Sequence, residues 1–595
     1  MRCLRARSAL AILSAVLTLL SCERICHSRA SSTQATPPQE MASSTGYVGS
    51  KPCGECHRAI YNSFSQTDMG RSISVVSPEL LEKIPNAEHV FDPKLNRNFQ
   101  VSVRGGNLYQ DDYETGPDGR EIFRDTQKVE WIIGSGANGF GAIVLRGDAL
   151  FEAPLSFYSK TQHWALSPGY EFYDYGFSRP ILPACIACHS GRAQPIPGGN
   201  GRFLDPPFVE LAVGCENCHG PGGSHVSEMK RGRLGASGGS HSIVNPAKLP
   251  LWLADNICAS CHQTGDARVL KLGKNFQDFR PGTALNDTLA ILMVPPRRDA
   301  PPQSDLLEHY YSMILSKCYR GSQARLSCIT CHDPHIEPAK QEASAYFRLK
   351  CLTCHTEKSC AIPAAIRQRR NPPDDCAGCH MPKRDVKEIS HSALTNHRII
   401  RESSEPYPDA AFSMTTPELP NLVHLDAIPG KKNSQLSPVT LLQAYGQLMD
   451  AHPEYRESYL ALAKELRVSA PENISVLEAL AYGALEKKNS DGVAQAIDYL
   501  DRAIKRGATS PADFEQCGSL LIRAGRLPEA ADVFQRGITI IPHDAELYRL
   551  LAVSYLAWNR HTDASTILKR ASTMFPENTA IRALLLETQR TVPRN

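Results

Sequence analysis

One pattern constrains this 595-residue chain more than any other: C-x-x-C-H occurs seven times. The copies are Cys53/Cys56/His57, Cys185/Cys188/His189, Cys215/Cys218/His219, Cys258/Cys261/His262, Cys328/Cys331/His332, Cys351/Cys354/His355 and Cys376/Cys379/His380. They take up 14 of the 20 cysteines, and six of the seven copies fall between Cys185 and His380. A segment so dense in one motif has little sequence left for an ordinary apolar core.

The spacing has a chemical reason. C-x-x-C-H is the attachment sequence of c-type haem. Each thiol forms a thioether with one vinyl group of the porphyrin, and the next residue supplies the proximal nitrogen to iron. Cys₄ zinc sites and thioredoxin-like dithiols also use C-x-x-C, but neither requires histidine at the following position. Every C-x-x-C of these seven is followed by His, so the expectation is seven covalent haems c, with proximal ligands His57, His189, His219, His262, His332, His355 and His380.

The sixth ligand decides what each iron does. A second His or a Met saturates it for electron transfer, and an open position lets it bind a substrate. His225 and His335 follow proximal His219 and His332 too closely to reach the far face of the same haem, so each is expected to serve a neighbouring iron. His309 lies in an apolar-periodic stretch, Ser304–Tyr319, read as one helix with Ser304 as N-cap. His391, His397 and Met69 complete the distal candidates. His89, His163 and His241 are read as structural. Cys318 and Cys360 are left over, and an oxidising compartment favours a disulfide between them.

The N-terminus has the parts of an export signal: Arg2, Arg5 and Arg7, then an apolar run from Ala9 to Leu20 too short to span a bilayer comfortably. Three readings of Leu19–Ser28 stay open. Leu19–Cys22 resembles a lipobox with Cys22 acylated, ordinary cleavage could fall near Ala30, or Cys22, Cys26 and His27 could form a stretched eighth haem site. The expected location is the periplasm or cell envelope, with membrane contact only through an N-terminal lipid. The net charge of +3 gives no reason to expect nucleic acid.

The chain divides into a signal over 1–21, a polar tether over 22–45, a heptahaem region over 46–400, a linker over 401–435 and a helical region over 436–595. Within the heptahaem region, about 89–170 reads as a β-rich insertion of short β-branched and aromatic runs between turn residues. From Pro438 a 34-residue period appears, the tetratricopeptide spacing. Phe514, Gly518, Ala530, Phe534, Gly537 and Pro542 set one register, and Tyr548, Ala552, Ala564, Leu568, Ala571 and Pro576 repeat it. The fold class is therefore multidomain: a haem-dense, mainly α and coil cytochrome region with a small β-rich insertion, then an α-solenoid. Solenoids of this kind usually present a concave surface to a protein partner; a structural cap on the haem region is the alternative.

The segments CENCHGPGGSH, CHQTGDARVL, CHDPH and CAGCHMPK resemble those of the tetrahaem cytochrome of ammonia oxidisers and related doubled C-x-x-C-H proteins. The resemblance covers roughly 46–400. It implies stacked haem pairs, largely bis-histidine ligation and electron transfer to a redox protein partner. The same superfamily includes oxidoreductases with one open iron acting on small nitrogen or sulfur compounds, although the C-x-x-C-K motif of some of them is missing here. A scaffold in which haems serve only folding is the weakest reading.

Overall fold

The computed structural model describes residues 46–171, 173, 175–232, 242–300, 308–385, 393–425 and 436–591. The expected signal, tether and Cys22, together with His241 and His391, lie outside these residues. No described helix is long and apolar enough to cross a membrane.

The β-rich insertion is larger than the sequence suggests. An antiparallel meander runs through Ala87–Asp92, Arg97–Arg104, Asn107–Thr115, Glu121–Ile133, Gly139–Arg146 and Ala149–Glu152, and Arg179–Pro180 adds to its far edge. Ile73–Val75 pairs with Glu121–Ile133, and the hairpin Leu155–Tyr158/His163–Leu166 joins Gly139–Arg146, making ten strands in all. Alternation explains the packing: Phe99, Val101 and Leu108 are fully buried, with partly exposed residues between them. A buried glutamine locks the edge. Gln110 Nε2 donates to the Leu155 carbonyl at 2.8 Å, and Leu155 N–H donates to Gln110 Oε1 at 2.9 Å. The short strands at either end escaped the sequence reading because each is held by pairing, not by its own pattern.

Residues 401–435 are not a slack linker where described. Leu422 and Val423 are buried, and Val423–His424 adds a third strand to Ala267–Leu270 and Leu289–Met293. The apolar residues of LPNLVHL find cover there, which outweighs the Pro- and Asn-rich composition around them.

Nine helices follow among the described residues, from Pro438–Leu448 to Thr579–Thr591. Ser437, Asn473, Asn489 and Asp544 cap four of them through side-chain bonds to the first turn. Phe514, Phe534, Tyr548 and Phe575 are fully buried between small residues such as Ala530, Ala552 and Ala571. A Cβ on Gly518 would lie 2.3 Å from the Phe534 ring, so the two helices meet at a point only glycine permits. Cys517 is a fully buried core residue.

The solenoid is fastened at both ends. Its first helix packs Leu442, Tyr445 and Leu448 on Val269, Ala290 and Leu292, and Gln447 exchanges hydrogen bonds with the Arg268 backbone. Its far end meets the large sheet. Arg97 donates to the Glu577 carbonyl at 3.2 Å, Arg146 to the Met574 carbonyl at 2.5 Å, and Arg582 pairs with Glu114 at 2.5 Å. The His543 ring lies edge-on to Phe151, with centroids 4.7 Å apart.

Burial, reinforced by Arg146, lowers the His543 pKa to about 4. Between the ordinary value of about 6.5 and that value the unfolded chain binds a proton that the folded chain does not. Stability held above about pH 6.5 is therefore lost as pH falls towards 4. The melting temperature should drop across that window, and His543→Gln should flatten the drop; an unchanged slope would remove His543 from the pH response.

Candidate functional site

Each C-x-x-C-H motif sits on or at the end of a short helix: Ser50–Cys56, Pro183–Ile186, Cys215–His219, Leu251–His262, Cys328–Cys331, Ala343–Leu352 and Cys376–His380. Helical spacing puts cysteines three residues apart on one face. None of the 14 motif cysteines is in a disulfide, and none is fully buried.

Buried carboxylates and hydroxyls fix the motifs against one another. Glu216, only 4% exposed, accepts from the backbone of Val48, Gly49 and Gly222, which holds the first motif on the third. Ser50 Oγ accepts from Cys215 N–H. Asp255 accepts from Ser327 Oγ at 2.6 Å and Cys328 N–H at 3.0 Å, joining the fourth motif to the fifth. Thiols of different motifs then meet directly: Cys53 with Cys215, Cys188 with Cys261, and Cys258 with Cys328. The hydrogen bond from Cys261, helped by Arg268, pulls Cys188 down to about 6. Cys218 stands near Cys258, Cys331 near Cys354, and Cys351 near Cys376. The motifs thus follow the spatial order one, three, four, five, six, seven, with the second beside the fourth.

The imidazoles form pairs. His57 and His225 have ring centroids 6.4 Å apart and planes 17° from parallel; His219 and His335 are at 6.1 Å and 19°. His332 and His397 lie at 6.2 Å, and His262 and His309 at 5.4 Å. His309 and His397 stack on each other at 4.1 Å. Two imidazoles bound trans to one metal through bonds of about 2.0 Å would place their centroids roughly 6.3 Å apart. His225 faces His57, and His335 faces His219, each the histidine of a motif other than the one it follows in sequence.

The ring nitrogens are oriented as ligands require. His219 Nδ1 faces the Val244 carbonyl at 2.8 Å, His380 Nδ1 the Ile400 carbonyl at 2.7 Å, and His397 Nδ1 the Thr395 carbonyl at 3.0 Å. His335 Nδ1 lies 3.2 Å from Asp333 Oδ1. A carbonyl can only accept, so Nδ1 carries the hydrogen in the first three and Nε2 keeps its lone pair. Burial also lowers the pKa of His189, His219, His262 and His332, which keeps these rings neutral.

Several expectations need correction. His309 lies at the start of a short helix, His309–Ile314, and a second helix begins at Lys317 after a break at Ser316; the Ser316 hydroxyl caps that second helix and ends the first. Cys318 and Cys360 are both free. Cys318 faces the thiols of the fifth and sixth motifs, whereas Cys360 lies near Arg367 and Cys376. Met69 is half-buried beside the second motif, since Ser72, which donates its N–H to the Met69 carbonyl, also donates its hydroxyl to the His189 carbonyl. His89 pairs with Asn98 and His163 with Glu88, both at exposed positions. Among the described residues no imidazole ring faces His189, His355 or His380 at such a distance.

The packing tests whether haem fits. Between Leu315 and Ile400 no described apolar side chain is buried, and Ile336, Leu349 and Ile366 are more than half exposed. A fold needs apolar burial to offset chain entropy, and porphyrins in the clefts between these motifs would provide it. No three His, Cys, Asp or Glu side chains among the described residues gather as a bare-ion site does.

Residues 521–587 match the tetratricopeptide repeat family, so the C-terminal part contains a repeat region of that type. Among solved structures the chain is similar to the MamA protein, at 17% identity over 27% of this chain and 79% of that one, with a TM-score of 0.21. It is also similar to a thermophilic TPR protein of Thermus thermophilus (16% identity, 26% and 82% covered, TM-score 0.21) and to the Arabidopsis OM64 TPR domain (13%, 20% and 96%, TM-score 0.18). No curated protein matches the sequence.

If the paired rings are axial ligands, His225→Ala should convert one low-spin iron of the mature protein to high spin, visible by electron paramagnetic resonance. His163→Ala should change nothing. An unaltered spectrum in the first variant would remove His225 from the ligand set.

Proposed function

We propose that this chain is an exported multihaem c-type cytochrome that carries electrons along seven covalently attached haems. The observation that carries this reading is the facing of two motif histidines by histidines that lie outside the motifs, His57 by His225 and His219 by His335, with centroids 6.4 and 6.1 Å apart. In such a protein the paired cysteines hold the porphyrin edge, and the proximal and facing histidines hold the iron. The haem supplies reversible one-electron chemistry. The protein's own part is positioning: backbone carbonyls fix the histidine tautomers, and buried Glu216 and Asp255 hold successive motifs in contact. The periplasm or cell envelope is the location consistent with covalent haem, with Cys22 as the point of lipid attachment.

The tetratricopeptide region is a typical protein-interaction module. Both of its ends are already committed to the rest of the chain, so a redox partner would use the remaining solenoid surface or an exposed haem edge.

A second reading is an oxidoreductase with an open iron acting on a small nitrogen or sulfur compound. The observation favouring it is that His189, His355 and His380 face no second imidazole among the described residues.

Expression in a host that matures c-type cytochromes should yield a protein whose mass exceeds the chain's by seven haems, with a c-type pyridine haemochrome spectrum. No covalent haem would end the cytochrome reading. Cyanide or nitrite should leave the paramagnetic resonance spectrum unchanged if the chain only relays electrons; a high-spin signal that shifts on addition would favour the enzyme.

A further inference from the structure

The end of the motif chain carries a concentrated positive charge. Residues 340–385 hold nine Lys and Arg against five Asp and Glu, while the whole chain has a net charge of only +3. Two of the acids are neutralised internally. Arg348 and Arg367 each bind both Glu357 and Asp374, and the two Asp374 contacts are 2.7 Å long. Lys340, Lys358, Arg369, Arg370 and Lys383 are exposed, and no ion pair joins them to an acid among the described residues.

These cations flank the sixth and seventh motifs in sequence, and those motifs end the spatial series. Cys354, His355 and Cys379 are exposed, unlike the crowded thiols of the third and fourth motifs. Arg370 Nη1 lies 3.1 Å from Cys379 Sγ, so a positive charge stands at the attachment edge of the last motif. A ferric haem with both propionates ionised and two neutral axial ligands adds about one negative charge. Two haems would leave this block positive, while seven would turn the whole chain negative.

We propose that the face formed by Lys358, Arg369, Arg370 and Lys383 is the docking surface for an acidic redox protein that exchanges electrons with the sixth and seventh haems. The inference rests on the cytochrome reading above. A positive patch around an accessible redox centre on an otherwise negative molecule steers an acidic partner to that centre and disfavours approach elsewhere.

The test uses the mature, haem-loaded protein in stopped flow, with flavodoxin hydroquinone as an acidic protein donor and hexaammineruthenium(II) as a cationic one. Lys358→Glu, Arg369→Glu, Arg370→Glu and Lys383→Glu combined should slow reduction by flavodoxin about tenfold at low ionic strength. The difference should vanish in high salt, and reduction by ruthenium should not slow. Lys487→Glu with Lys488→Glu, on the solenoid, should leave both rates unchanged. If the fourfold variant loses haem, Lys358→Gln with Arg369→Gln takes its place, with a smaller change of the same sign.

Equal flavodoxin rates in wild type and variant would overturn the proposal. So would binding of wild type, but not variant, to phosphatidylglycerol vesicles together with unchanged flavodoxin rates, which would assign the patch to a membrane surface. A wild-type protein without a haemochrome spectrum would instead overturn the cytochrome reading, and this proposal with it.

Discussion

The facing of motif imidazoles by histidines from other stretches of the chain is the constraint on which the middle of this molecule depends. His225 lies six residues after His219 yet faces His57, and His335 lies three residues after His332 yet faces His219. Each such pair ties two distant stretches of chain to one point. A series of these ties sets the order of the motifs in space, and that order differs from their order in sequence. The second motif lies beside the fourth and off the main series, because Cys188 meets Cys261.

The rest of the molecule shows two other ways of making a core. The large sheet alternates buried and exposed residues and closes over Phe99, Val101, Leu108 and Phe151. The solenoid stacks aromatic residues into gaps left by Gly and Ala. Both are conventional apolar interiors. Between them lies a stretch in which helices such as Ala343–Leu352 bury no residue at all. Its apolar residues Ile336, Leu349 and Ile366 are more than half exposed.

Legibility followed the kind of signal. The 34-residue period of the solenoid was readable because every repeat solves the same packing problem with the same residue sizes; only its attachment to the large sheet was hidden. Arg97, Arg146 and Arg582 are ordinary arginines in sequence, and only the fold reveals that they meet Glu577, Met574 and Glu114. The motif residues were legible as a repeated C-x-x-C-H spacing, and the structure places each motif on or at the end of a short helix. Partner choice among histidines was partly legible, since His225 and His335 follow His219 and His332 too closely to stand opposite those rings across a common metal. Nothing local could bring His397 against His309 across 88 residues, or join Ser72, bonded to the Met69 carbonyl, to the His189 carbonyl. Arg370 is an ordinary arginine in sequence, and only the fold brings it 3.1 Å from Cys379 Sγ.

Fastening the solenoid at both ends makes the chain a closed loop. It leaves the haem-motif region at the three-stranded sheet, runs the length of the repeats and returns to the ten-stranded sheet through its last helices. The span between those two sheets is set by the motif region, and the length of the repeat array is set by its helices. The two must agree for the loop to close. The contacts of Arg97, Arg146 and Arg582 thus close that loop between stretches of chain more than 400 residues apart.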